Sequence, residues 1–342
     1  MHKNKKLGCL SLLLLSPLTM AMQPLDDQSL SSTTGQDGLN IGIQSNVQFD
    51  QMAMIDKTGL TETSSDYTNR AGLVIAGVAG GNSPVRITGL NGTNETTLGL
   101  NVAIDTDAGT AAMGGAFANL GVSFADNVTG LHISPFSIYT ASHNVLSSMT
   151  ADGIYTRTSI FQAGTHIPQV GIDNRPLAKE ILRTDDIDIA FADGHKPTLN
   201  IQLGAAPQDH MVLLGGALDS ICGNGLGCKI QLVSNDATEV NLTTNPVGAS
   251  FDLQLTGYNN SPFSLNGFYA GLEDASDHNQ GAFIFGNDGT SDKFNLGLNN
   301  ITLGTVGQAT TETFNNLPNA SMGNVGLKGA SITDFKMRVS GL

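Results

Sequence analysis

The chain has 342 residues, of which 40% are hydrophobic and only 13% charged, with 41 glycines and no tryptophan. That length allows one or two domains and a core able to fold without metals or disulfides. The apolar content excludes a disordered chain, and the shortage of helix-favouring charged residues excludes a helical bundle. Against 16 Lys and Arg stand 30 Asp and Glu, a net charge of −14 at pH 7. Such a surface repels phosphate backbones, so no nucleic-acid partner is expected, nor anchoring to an anionic membrane through a basic patch.

The first element is an export signal. Lys3, Lys5 and Lys6 precede a short apolar run, Leu7 to Leu18, broken by Pro17 and followed by Thr19-Met20-Ala21. This is the basic, apolar and small-residue order of a cleavable signal peptide, assigned to residues 1–21. The run falls short of the roughly 20 apolar residues that a membrane helix needs, and no later stretch supplies them. Cys9 sits at the start of the run rather than its end, which argues against lipidation. Loss of the three lysines leaves 13 basic residues against 30 acidic ones.

Residues 22–38 form a second element. Pro24 suits a first helical turn, Asp26 and Asp27 suit a helix N-terminus, and Leu25 and Leu30 could bury one side. Gly35 would then stop the helix and Gly38 would turn the chain into a strand. The set Leu25, Asp26, Asp27, Leu30, Thr34, Gly35, Gln36 and Gly38, directly after a signal peptide, resembles the N-terminal motif of an exported Gram-negative family that includes FilA-type pilus-system proteins. Beyond these residues the likeness is general, in Gly- and Asn-rich alternating strands and a Gly, Ile and Phe-x-Met ending. The resemblance implies association with a pilus (fimbria), the outer membrane or the cell surface, and carries over no chemistry.

From residue 39 onward, period two dominates. Leu39, Ile41, Ile43, Val47 and Phe49 alternate with polar residues; so do Leu98 to Ile104, Leu120 to Phe124, Ile187 to Phe191, Leu199 to Leu203, Phe251 to Leu255, Phe294 to Leu298 and Phe335 to Val339. Each reads as a strand with one apolar and one wet face. About 14 such strands are expected, with Asn91-Gly92, Asp193-Gly194 and Asp288-Gly289 as hairpin-type turns. Only Asn174 to Arg183 reads as a short helix, which would subdivide the 39–342 domain near 174–185. The expected fold is all-β, a large antiparallel sheet protein folded as a sandwich or wrapped sheet behind a short N-terminal helix. A β-solenoid or a barrel is the alternative. Without tryptophan the aromatic girdles of an outer-membrane barrel are poorly supplied.

The mature cysteines, Cys222 and Cys228, are separated by Gly-Asn-Gly-Leu-Gly and predict one local disulfide in an oxidising compartment. Little else suggests chemistry. Gly248-Ala-Ser250 lacks the second glycine of a nucleophile elbow, and the 223–229 glycines lack phosphate-loop spacing. His132 reads as a satisfied core histidine. Asp105 and Asp107 lack a later calcium ligand, and the acidic patch Glu273, Asp274, Asp277, His278, Asn287, Asp288 and Asp292 reads as a solvated turn. No catalytic, cofactor or metal residues are therefore assigned. The expectation is a non-enzymatic exported protein, a component or accessory of a pilus or surface assembly. It would act through β-strand contacts with other surface or pilus-system proteins or with itself. The alternative is a secreted or periplasmic carbohydrate-binding module or hydrolase on a β scaffold.

Overall fold

The computed structural model describes residues 38–55, 71–78, 84–142, 150–151, 154–155, 160, 178–205, 210–233, 247–273, 281–304 and 320–340. The predicted signal segment, the predicted N-terminal helix and the motif residues Leu25 to Gln36 lie outside them. Residues 1–39 and 40–342 form two separate units. Gly38, at the end of the first, has φ 88°, the turn into a strand that the sequence predicts.

Among the described residues of the second unit the regular structure is strand, apart from 3-10 turns at Ala111–Met113 and Tyr258–Asn260. The strands fall into eight long arms. Arm 1 holds β1 (Leu39–Ser45), β2 (Val47–Phe49) and β3 (Gln51–Ile55); arm 2 holds β4 (Ala71–Gly77), β5 (Val85–Asn91), β6 (Asn94–Thr96) and β7 (Leu98–Asp107). Arm 3 holds β8 (Phe117–Phe124), β9 (Gly130–Ile133) and β10 (Phe136–Ser142), followed by a small separate hairpin, β11 (Thr150–Ala151) and β12 (Ile154–Tyr155). Arm 4 holds β13 (Ala178–Thr184), β14 (Ile187–Phe191) and β15 (Thr198–Gly204); arm 5 holds β16 (Val212–Gly215), β17 (Ala217–Ile221) and β18 (Cys228–Val233). Arm 6 holds β19 (Val247–Gly257), β20 (Phe263–Ser264) and β21 (Phe268–Glu273); arm 7 holds β22 (Ala282–Asn287) and β23 (Phe294–Leu303); arm 8 holds β24 (Ala320–Ala330) and β25 (Lys336–Ser340).

Each arm crosses two sheets. The first sheet runs β1-β7-β8-β15-β16-β21-β22-β25, one strand from every arm in chain order. The second sheet is built from the remaining halves, again arm beside arm. Its pairings can be followed out along β2-β5-β9-β14-β17 to β19 and back along β18-β13-β10-β4-β3, because most arms are broken in two there. The result is an antiparallel up-and-down meander, with arms 1 and 8 as its outer members. Sequential meanders need only local connections, which suits a chain with so many turn residues.

Alternation holds across the whole second sheet. One cross-strand row reads Met52, Ile75, Ile138, Leu182, Leu232, Ala249, Leu303, Ala320. The row one residue away reads Gln51, Ala76, Ser137, Arg183, Gln231, Ser250, Thr302, Ser321. The first sheet likewise has an apolar row, Ile104, Leu120, Ile201, Val212, Ala270, Phe285, Met337. Where arms 5–8 pass between the sheets, Phe263, Phe268 and Phe294 are buried together against Leu214, Leu255, Leu265, Phe285, Leu296, Ala330 and Ile332. Phe263 and Phe294 meet edge to face at 5.5 Å, and Phe124 lies 4.5 Å from Phe191 in arms 3 and 4.

Three expectations need correction. The described part of the predicted helix, from Ala178, is β13, paired with β10 on one edge and β18 on the other. Pairing on both edges overrides the helix propensity of Ala, Lys, Glu, Leu and Arg. The Asp193-Gly194 and Asp288-Gly289 turns do not form hairpins. They join β14 to β15 and β22 to β23, strands of different sheets; only Asn91-Gly92 closes a hairpin, between β5 and β6. Finally, among the described residues the strands number 25 rather than about 14, because excursions interrupt the arms. At the sheet crossing of arm 5 sits Gly216 (φ 78°), where a Cβ would strike the carbonyl of Lys196.

Candidate functional site

A meander leaves its first and last strands with one edge unpaired, and a bare edge is a ready template for another strand. In the first sheet β1, paired with β7, and β25, paired with β22, are the end strands of the order, while in β3 the Gln51 side chain accepts the Ile160 amide on its Oε1 at 3.0 Å. All seven residues of β1 are exposed, and so is β24 from Ala320 to Lys328. Their apolar side chains are exposed with them: Ile41 39% and Ile43 43% in arm 1, Leu327 53%, Met337 44% and Val339 54% in arm 8. At the corner of arm 1, Asn46 accepts the Leu98 amide on its Oδ1 at 3.0 Å, fixing the passage of the arm between sheets.

The beginning of arm 1 was visible in the sequence as an alternating strand behind a glycine. Arm 8 was visible as a strand, but not as the opposite edge, because edge position depends on which strands pair.

The cysteines come together as predicted. Ile221 faces Leu255 and Cys228 faces Leu253, so β17 and β18 are one strand whose residues 222–227 leave the ladder opposite the single residue Gln254. The Cys222–Cys228 disulfide closes that excursion with the Cα atoms 5.3 Å apart. The Gln254 amide donates into it, to the carbonyls of Gly223 (3.2 Å) and Gly225 (3.5 Å). Gly227, with φ 114° and no room for a Cβ beside the Leu253 carbonyl, returns the chain to the sheet.

Three polar clusters lie on the arms. Thr88, His132 and Asp188 stand abreast on β5, β9 and β14. His132 Nδ1 is 2.7 Å from Asp188 Oδ1, and its Nε2 lies 3.7 Å from Glu95 and 3.6 Å from Asp186. Glu95 also takes a hydrogen bond from Thr88 (3.3 Å) and pairs with Arg86 (3.4 Å). The hydroxyl nearest in register thus donates to a carboxylate, and the cluster ties the β5–β6 hairpin to arms 3 and 4. In the second cluster, Glu273 receives Lys336 Nζ at 2.6 Å and Arg338 Nε at 2.9 Å, tying arm 8 to arm 6. These bonds, Lys336 first, hold the Glu273 carboxyl below its ordinary value and Lys336 above its own. In the third, the fully buried Glu180 accepts Arg183 Nε and Nη2 at 2.9 and 2.6 Å and Ser137 Oγ at 2.5 Å, with Tyr139 opposite it. Burial, then the Glu180 charge, pushes the Tyr139 hydroxyl well above its ordinary range.

The described members of the acidic 273–292 patch are divided among separate partners: Glu273 as above, Asp288 with His210 at 2.9 Å, Asp292 with the Ser264 amide at 3.3 Å. Asp274, Asp277 and His278 lie outside the described residues. Asp107 accepts the Gly109 amide at 2.6 Å in a local turn. Among the described residues, no group of three His, Cys, Asp or Glu side chains is placed to hold a metal. No helix there is long and apolar enough to cross a membrane.

Residues 1–110 match a family of unknown function, DUF6160. No curated protein and no solved structure matches the chain.

Proposed function

We propose that this protein is an exported, non-enzymatic surface protein, a component or accessory of a pilus-type or other surface assembly, acting through its open sheet edges. The observation that carries the reading is β1, exposed along all seven of its residues at the end of the first sheet's strand order. Strand addition at such an edge supplies main-chain hydrogen bonds and seats alternate side chains. The apolar alternation Ile41, Ile43 and Val47 provides what a partner sheet would seat. The export-type N-terminus and the motif at residues 25–38 support a location outside the cytoplasm.

The test is the double variant Ile41→Asp/Ile43→Asp. Both side chains are exposed, so the fold should survive within about 0.5 kcal/mol, as surface changes do. The melt and circular dichroism of the purified variant are expected to match wild type, while recovery of the protein in sheared surface assemblies is lost. Normal assembly by the double variant, or by cells lacking the protein, would refute the proposal.

A further inference from the structure

We infer that the apolar faces of the two sheets, where they are uncovered beyond the arm crossings, hold the hydrocarbon of a long-chain fatty acid, with Lys179 at its carboxylate. The inference uses the sheet faces and not their edges. At the crossings the two faces close on each other. Leu214, Phe268 and Phe285 of the first sheet pack with Phe263, Leu255, Phe294 and Leu296 of the second, and Phe124 meets Phe191 in the same way. Further out along the same faces that cover is lost. In β21, Phe268 and Ala270 are buried, but Leu272 is 72% exposed, and it stands abreast of the exposed Phe283 in β22. In the second sheet the outward step from Met52 leads to Met54, 71% exposed and abreast of the exposed Leu73. Apolar surface left uncovered across several strands marks a binding surface.

The placement of charge selects the ligand. In the strands of the first sheet, Asp105, Asp107, Glu273, Lys336 and Arg338 all fall on the face opposite Leu272 and Phe283. In the outer strands of the second sheet, Glu180, Arg183 and Lys229 likewise fall opposite Met54 and Leu73. Lys179 is the exception. It ends the row Met54, Leu73, Thr140, Lys179, at the uncovered end of the apolar face. Among the described residues no carboxylate pairs with it. Walls without charge suit a hydrocarbon chain, and one ammonium at their outer end suits a single anionic head. An anionic bilayer would meet the whole charge of −14, whereas one carboxylate meets only the local lysine. A second copy of this chain would have to lay a rigid sheet against faces that already close on their own phenylalanines. A flexible acyl chain needs only the uncovered part.

The experiment uses the full mature protein and laurate, titrated by equilibrium dialysis below its micelle concentration. The expected result is saturable binding. Leu272→Asp and Met54→Asp, one on each sheet, should each weaken it about tenfold or more, because each sets a carboxylate where the hydrocarbon lies. Lys179→Gln should weaken laurate by about tenfold and leave the neutral glycerol monolaurate unchanged. Asn101→Asp, on the opposite face of the first sheet, should change neither. Absence of saturable laurate binding, or equal binding by wild type, Leu272→Asp and Met54→Asp, would overturn the inference. So would a dimer that Leu272→Asp dissociates and laurate leaves intact, which would give the face to a second copy. Flotation with phosphatidylethanolamine vesicles without laurate binding would give it to a bilayer and overturn the inference too. Should either aspartate variant melt below wild type, Leu272→Cys carrying a polarity-sensitive dye decides, since the native cysteines are bridged to one another. A blue shift that saturates with laurate supports the inference, and unchanged emission overturns it. Either result leaves the strand-contact proposal standing, because that proposal is read from surface assembly.

Discussion

Glu180 is the best place to test what holds neighbouring arms together, because it combines zero exposure with a full charge partner. Arg183 clamps it with two hydrogen bonds of 2.6 and 2.9 Å, and Ser137 adds a third. Donation to the Glu180 carboxylate is the main reason Arg183 is held above its ordinary value. Replacing Arg183 with Leu removes a two-point cationic partner from a buried carboxylate, a change that costs about 3–5 kcal/mol. Against a total stability of roughly 5–15 kcal/mol, that is a large share. The double variant Glu180→Leu/Arg183→Leu removes both charges and should recover most of the loss, giving a coupling of about 2–3 kcal/mol. Urea unfolding of the single and double variants at about pH 7 measures both quantities. A loss below about 1 kcal/mol in Arg183→Leu would show that the pair is not what holds β13 against β10.

Removing the disulfide with Cys222→Ser/Cys228→Ser should lower stability by about 2 kcal/mol, the chain-entropy value for so short a loop. Faster hydrogen exchange should stay within 222–228, because β17 and β18 keep separate pairing with β19; global unfolding would contradict this. The Glu273 cluster should be pH-gated at both ends. Glu273 lies below its ordinary 4.5, so its support is present above that value and lost as pH falls through the lower folded one; Lys336 lies above 10.5, so its support is present below that value and lost as pH rises through the higher folded one. Exchange at 336–340 should therefore quicken in Glu273→Gln at neutral pH but match wild type near pH 2; no difference at neutral pH would show the pairs to be ornamental.

Much of the fold was legible because alternation is a direct record of a half-buried strand. Phe251, Leu253 and Leu255, or Leu199, Ile201 and Leu203, point to one face without any knowledge of partners. What alternation does not encode is which strand lies alongside. Tyr139 meets Glu180 across 41 residues of chain, and nothing local to either announces the other. The misread helix has the same cause. Between Ile138 and Tyr139 the register shifts, so Ile181 bulges out and Glu180 and Arg183 fall on one face. Their spacing of three, which matched a helix turn, was real, but a bulge produced it. The Asp-Gly dipeptides were correctly read as turns and wrongly read as hairpins, since the same backbone serves a corner between sheets. The disulfide was legible because its two cysteines and intervening glycines sit within one excursion. The edges were half legible: a strand can be read from sequence, but an unpaired side cannot.

That limit bears on how tightly the edges can bind. Full burial of a large apolar side chain is worth about 1.5–3 kcal/mol. Ile41, Ile43 and Val47 on one edge, and Leu327, Met337 and Val339 on the other, are 39–54% exposed, so roughly 1 kcal/mol each remains to be gained. Against this stands an association cost of about 4–15 kcal/mol. The side chains of one sheet alone fall short of it. Main-chain bonds along the ladder add about 0.5–1.5 kcal/mol each, and these accumulate only if the strands stay in register past the corner at Asn46 and the break between β24 and β25. Engagement of both sheets together is therefore what makes the contact stable. It also makes the contact selective, because a partner matching one sheet but not the other gains less than it loses. An arm that crosses two sheets in nearly unbroken sequence, as residues 39–49 do, imposes that double requirement on whatever pairs with it.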